Sequence, residues 1–69
     1  MPREKETYWD NLESLRARFP GKEQISVPEA AMYLGVSKER IFSDPTFPRR
    51  SLGKQSIVVL VNFARWLAG

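Results

Sequence analysis

The sequence predicts a mainly α domain with a small β-hairpin. Its order is a helix, a turn, a second helix, the hairpin and a closing helix, with an extra helix ahead of them. Three observations carry this. Ser26-Val27-Pro28-Glu29 has the residues of a helix start, and Gly35 and Ser37 follow at the spacing needed to end that helix and open another. Gly53-Lys54 is a turn dipeptide, and the β-branched run Ile57-Val58-Val59 follows it. Apolar residues recur at helical spacing on either side of these pieces.

Residues 1–6 are polar and are expected to fray. Thr7, with Asp10 three residues on, has the form of a capping box with Asp in place of Glu. Trp9, Leu12, Leu15 or Arg16, and Phe19 then form one stripe of a helix over 8–18. Phe19-Pro20-Gly21 ends it, because Pro disfavours helix at the residue before it and Gly frees the chain. Ile25 starts a short extended piece that covers the core.

Ser26 can accept a hydrogen bond from the N–H of Glu29, whose carboxylate can reach back to the N–H of Ser26. Pro28 stands in the first turn, where its missing donor costs nothing. This helix runs to Leu34 with Val27, Ala30, Ala31 and Leu34 facing inward. Gly35 turns the chain at positive φ, and Val36 plugs the core. Ser37 caps a short helix from Lys38 to Ser43, anchored inward by Ile41 and stopped by Asp44-Pro45. The small pair Ala30-Ala31 lets the two helices approach closely.

Phe47-Pro48 anchors the next loop. Arg49-Arg50-Ser51-Leu52 leads to the Gly53-Lys54 turn, and Gln55 to Val59 returns as a strand. Leu60 to Ala68 closes the fold as a helix. Leu60, Phe63, Ala64 and Leu67 form its inner face, widened by Trp66, while Asn62 and Arg65 are wet. The chain divides into residues 1–24, polar start plus amphipathic helix, and 25–69, the remaining elements, within one compact domain.

Composition narrows the function. The chain has 69 residues, of which 42% are apolar and 28% charged, so it is not of disordered type. It contains no Cys and no His, which removes disulfides, zinc fingers, thiol nucleophiles and the usual general base. No enzyme activity, cofactor or metal is expected. The longest apolar run, Ile57 to Val61, falls far short of the roughly 20 residues of a membrane helix. A protein of the reducing cytoplasm is expected, with no membrane partner. The net charge is +3. Residues 1–24 are neutral, with five cations against five anions; five of the six later cations fall between 38 and 54. Such clustering points to a polyanionic partner.

The run Ser26 to Ser37, and within it Ala30-Ala31-Met32-Tyr33-Leu34-Gly35-Val36-Ser37, resembles the opening of the excisionase and MerR-like winged helix-turn-helix domains. Phe47-Pro48, the Gly53-Lys54 hairpin and the ending Ala64-Arg65-Trp66-Leu67 continue the likeness, which covers roughly residues 25–68. AlpA-type phage regulators share the pattern. Three departures stand out. The segment from Ser37 to Phe47 is about three residues shorter than the family pattern, so the second helix has about two turns. The closing helix lacks an acidic or hydroxyl cap, since Val58-Val59-Leu60-Val61 stands there. The helix at 8–18 precedes the family core and either packs onto it or offers a partner surface.

The resemblance implies a DNA-binding domain whose second helix enters the major groove while the hairpin, as a wing, lies on the backbone or minor groove. Ser37 then meets phosphate at the helix start, and Lys38 and Arg40 stand in the first turn. Arg40 has the donors to bond a guanine bidentately. Glu39 accepts from a cytosine amine or pairs with a neighbouring cation, and Ser43 reaches the backbone. Arg49, Arg50, Lys54 and Gln55 grip phosphate or enter the minor groove from the hairpin. These roles require the Ser37 helix and the Gly53 tip to project from one side.

The expected function is that of an excisionase, a recombination directionality factor. It would bind double-stranded DNA with copies side by side and help a tyrosine or serine integrase favour excision. The expected setting is the nucleoid of a bacterium or a phage-infected cell. An AlpA-type transcriptional regulator on the same fold is the alternative. A reading of another class is a small protein-interaction module, using the 8–18 helix or the apolar face of 57–67, with the basic ribbon incidental.

Overall fold

The structure is a computed structural model and describes residues 6–69. The chain runs α1 (Glu6–Arg18), β1 (Gln24–Ser26), α2 (Val27–Leu34), α3 (Lys38–Ser43), β2 (Arg50–Leu52), β3 (Gln55–Val59) and α4 (Leu60–Ala68). It is a small helix-rich fold with one three-stranded antiparallel sheet in the order β1-β3-β2. The fraying expected at the N-terminus concerns residues that, but for Glu6, lie outside the described ones.

Helix α1 corrects the reading of its own start. Glu6 is already helical, so Thr7 stands inside the first turn and is not the cap. The buried stripe is Tyr8, Leu12, Leu15 and Phe19, whereas Trp9 is 58% exposed. At 100° per residue these four side chains fall within a sector of about 60°, and Trp9 lies roughly 60° beyond its edge. Only one of the adjacent aromatics can face inward, and Tyr8 holds that register. Trp9 packs edge-on against the outer side of the Tyr8 ring, with centroids 4.7 Å apart. The stripe docks on α4, so the extra helix belongs to the same hydrophobic cluster as α2, β3 and α4.

The extended piece at Ile25 is a strand of the sheet. Ile25 pairs with Val58, flanked by Gln24 with Val59 and Ser26 with Ile57. Residues directly opposite share a face. Buried Ile25 and Val58 therefore point to the core, while Gln24, Ser26, Ile57 and Val59 lie on the outer face. On the other side of β3, Arg50 pairs with Ile57 and Leu52 with Gln55, which puts Arg50, Leu52 and Gln55 on the outer face too. The same pairing of β1 completes α4. Val59, at its N-cap position, offers no side-chain hydrogen bond, and the Leu60 N–H donates to the Glu23 carbonyl at 3.0 Å instead.

Helix α2 begins and ends as its residues require. The Glu29 N–H donates to Ser26 Oγ at 3.3 Å, and the Ser26 N–H donates to Glu29 Oε1 at 3.0 Å. That backbone donor, together with Lys22 at 3.2 Å and the Ser26 hydroxyl, holds the Glu29 carboxyl below its ordinary range. At the other end Gly35 has φ 73° and ψ 30°. Its N–H and that of Val36 close back onto the Met32 and Ala31 carbonyls, the Schellman pair. Val36 is half-buried and is a lid on the core, not a plug within it; Leu34, Leu67 and Asn62 are half-buried as well.

The core centres on Phe63, fully buried in α4. Its ring meets Tyr33 at 5.8 Å, Phe47 at 5.4 Å and Trp66 at 6.3 Å. Tyr33 continues to Phe19 at 6.1 Å, and Phe47 to Trp66 at 5.0 Å. The aromatic chain thus runs from the end of α1, through α2 and α4, to the loop that precedes β2.

Two outcomes check this account by urea unfolding. Leu15→Ala is expected to cost about 3 kcal/mol and Trp9→Ala no more than about 1 kcal/mol, the order set by the corrected stripe. Gly35→Ala meets no neighbouring atom, so its cost is backbone strain alone, about 1 kcal/mol; Gly35→Asn should cost less.

Candidate nucleic-acid interface

Helix α3 is two turns long, and a few contacts fix it. Ile41 is its one buried residue. Ser37 caps it with a long bond, Arg40 N–H to Ser37 Oγ at 3.4 Å. Asp44 ends it, and the Asp44 carboxylate accepts from the Thr46 N–H at 2.9 Å and the Thr46 hydroxyl at 2.7 Å. The Trp66 indole N–H in turn donates to Thr46 Oγ1 at 3.2 Å. This clamp ties the turn after α3 to α4, one residue before buried Phe47.

The clamp also sets the electrostatics of Asp44. Its carboxyl is held below its ordinary value by the Thr46 hydroxyl first and the Thr46 amide second, with a smaller contribution from the Arg40 charge. Arg40 is exposed but stands within the field of Asp44, so its cation is partly balanced.

All nine sequence-predicted site residues are exposed: Ser37, Lys38, Glu39, Arg40, Ser43, Arg49, Arg50, Lys54 and Gln55. Lys38, Glu39 and Arg40 share the first turn of α3. Ser43 is turned inward on its own helix, its hydroxyl donating to the Glu39 carbonyl at 2.7 Å, which leaves only acceptor capacity for a ligand. Arg49 joins the two halves: its guanidinium carbon stands 4.9 Å from the centroid of the Phe42 ring of α3. A cation over an aromatic face is attracted by the ring quadrupole and keeps its donors free at the edges.

The hairpin itself carries the other cations. All of β2 is exposed. The turn at Gly53-Lys54 has positive φ at Gly53 (63°) and at no described residue other than glycine, the pattern of a type II′ turn. Arg50 and Gln55 share the outer face of the sheet, while Arg49 faces α3. The cations are thus divided between the root of the hairpin, which meets α3, and its outer face.

Two exposed residues were not legible as site residues. Phe42 is 45% exposed and carries Arg49; the signal for it was its place beside Ile41, since a two-turn helix cannot turn both inward. Leu52, beside the turn, is 61% exposed. Among the described residues no group of carboxylates could hold a metal ion, and no helix is long and apolar enough to cross a membrane.

Comparison with protein-family models, with curated proteins and with solved structures gives no match.

The clamp makes a pH-dependent prediction. Because the folded carboxyl of Asp44 lies below its ordinary value of about 3.8, the tie to Thr46 is fully present above that value and is lost as pH falls through the depressed one. Carboxyl and amide NMR titrations of Asp44 and Thr46 should share a midpoint below 3.8 and show no change near neutrality. In Thr46→Val the Asp44 midpoint should move back up.

Proposed function

We propose that this chain binds double-stranded DNA as a winged helix-turn-helix protein of the excisionase type, with α3 in the major groove and the β2–β3 hairpin as a basic wing on the backbone or minor groove. It acts as an architectural factor that favours excision by an integrase. The observation that carries the reading is the contact of Arg49 with Phe42. It sets the root of the wing beside the helix that bears Lys38 and Arg40, which supports a single duplex meeting both cationic groups. The resemblance of residues 25–68 to excisionase domains supplies the recombination role.

The chemistry divides between the two parts. The start of α3 offers N–H groups to phosphate at Ser37 and side chains to base edges at Glu39 and Arg40. Arg49, Arg50 and Lys54 supply sequence-independent attraction. A two-turn reading helix specifies few base pairs, so selectivity comes from several copies on adjacent sites or from a DNA-bound integrase. The protein-interaction reading has the half-buried apolar face of 57–67 and exposed Trp9 to draw on, since the inner stripe of α1 packs on α4.

Fluorescence anisotropy against duplex DNA at several salt concentrations tests the proposal. About four phosphate contacts give a slope of log affinity against log salt near −4. Replacing Arg49 and Arg50 with Glu should remove two of them, bring the slope to about −2 and weaken binding by more than about tenfold. Unchanged affinity would refute the DNA reading. With binding established, a footprint over tandem sites beside an attachment site, together with stimulated excision, assigns the recombination role. A single promoter operator assigns an AlpA-type regulator instead.

A further inference from the structure

The wing ends in an apolar side chain, and this has a specific use on DNA. Leu52 is 61% exposed and precedes the Gly53 turn. By register it shares the outer face with Arg50, two residues back, and with Gln55, directly across. Lys54 stands in the turn beside it. The strand that carries it buries none of its residues, so Leu52 contributes nothing to the core that would explain its presence. What distinguishes Leu52 from a singly exposed apolar residue elsewhere, such as Met32, is its place at the tip of an edge strand between Arg50 and Lys54.

We propose that Leu52 is a wedge that enters a base-pair step from the minor groove while Arg50 and Lys54 hold the flanking phosphates. The inference rests on the DNA reading above and names the DNA it prefers. Apolar wedges unstack a step and kink the duplex towards the major groove. The cost is lowest at pyrimidine–purine steps, which are flexible and easily unstacked. The favoured target therefore carries such a step under the wing tip. A ribbon that acted through charge alone would have the opposite preference: stiff A-tracts have a narrow minor groove whose negative potential attracts arginine and lysine. The two mechanisms thus rank two duplexes of equal composition in opposite orders.

The experiment uses the full chain and two equal-length duplexes, one of alternating A and T and one an A-tract, each with a 2-aminopurine reporter. Wild type should bind the alternating duplex on the order of tenfold more tightly and raise the 2-aminopurine emission there, as an unstacked base requires. Leu52→Ala and Leu52→Lys should lose both the preference and the emission change, the Lys variant while binding the A-tract at least as well as wild type. Leu52→Met should keep both. The exposure of Leu52 means that these variants fold, which circular dichroism confirms. Equal or A-tract-favoured binding by wild type, or an emission change that survives in Leu52→Ala, overturns the wedge and leaves the DNA reading standing. No binding to either duplex at low salt overturns both.

Discussion

Burial of the Phe63 ring ties the molecule together. Four separate pieces of chain reach it or its immediate neighbours: α1 through Phe19 and Tyr33, α2 through Tyr33, the loop before β2 through Phe47, and α4 through Trp66. A chain of this length buries only about 60% of the surface its unfolded form exposes, so few side chains can be wholly removed from water. Aromatic rings bury the most area per residue and gain further from tilted and edge-on contacts. Placing one at the junction of α1, α2, α4 and the hairpin loop lets a small core orient every element, including those that contribute little to it.

Helix α3 and the hairpin are such elements. Helix α3 buries only Ile41, β2 buries nothing and the hairpin reaches the core through Val58 of β3 alone, so both are held where they leave the core. Ile41 and the Asp44–Thr46–Trp66 clamp fix the end of α3, Phe47 fixes the next turn of chain, and Arg49 leans back on Phe42. Most of the exposed cations lie beyond these anchors, whereas Ser37 and Arg49 belong both to the fold and to the candidate surface.

What could be read from the sequence follows the range of the forces involved. The start and end of α2 are written within a few residues, in Ser26, Glu29 and Gly35, and the Gly53-Lys54 turn is equally local. These signals predict their elements closely. The membership of β1 in the sheet is not local: an alternation of only three residues is too short to mark a strand, and its pairing with β3 is visible only in three dimensions. Choosing Tyr8 over Trp9 requires knowing that α4 is the surface against which α1 turns. The cationic residues of the candidate site were legible because charge has to stay wet. Phe42 and Leu52 were not, because an apolar residue is read by default as core. The Thr46 clamp joins residues 20 apart and leaves no local trace.

The bond from Leu60 to Glu23 has a consequence for how the molecule opens. A helix capped by its own side chain can fray by itself, but α4 takes its first acceptor from the chain entering β1. Loosening its first turn pulls on that strand, and the stripe of α1 rests on the same helix. Release of that turn and detachment of β1 are therefore one event, so the start of the closing helix is guarded by a segment more than thirty residues earlier in the chain.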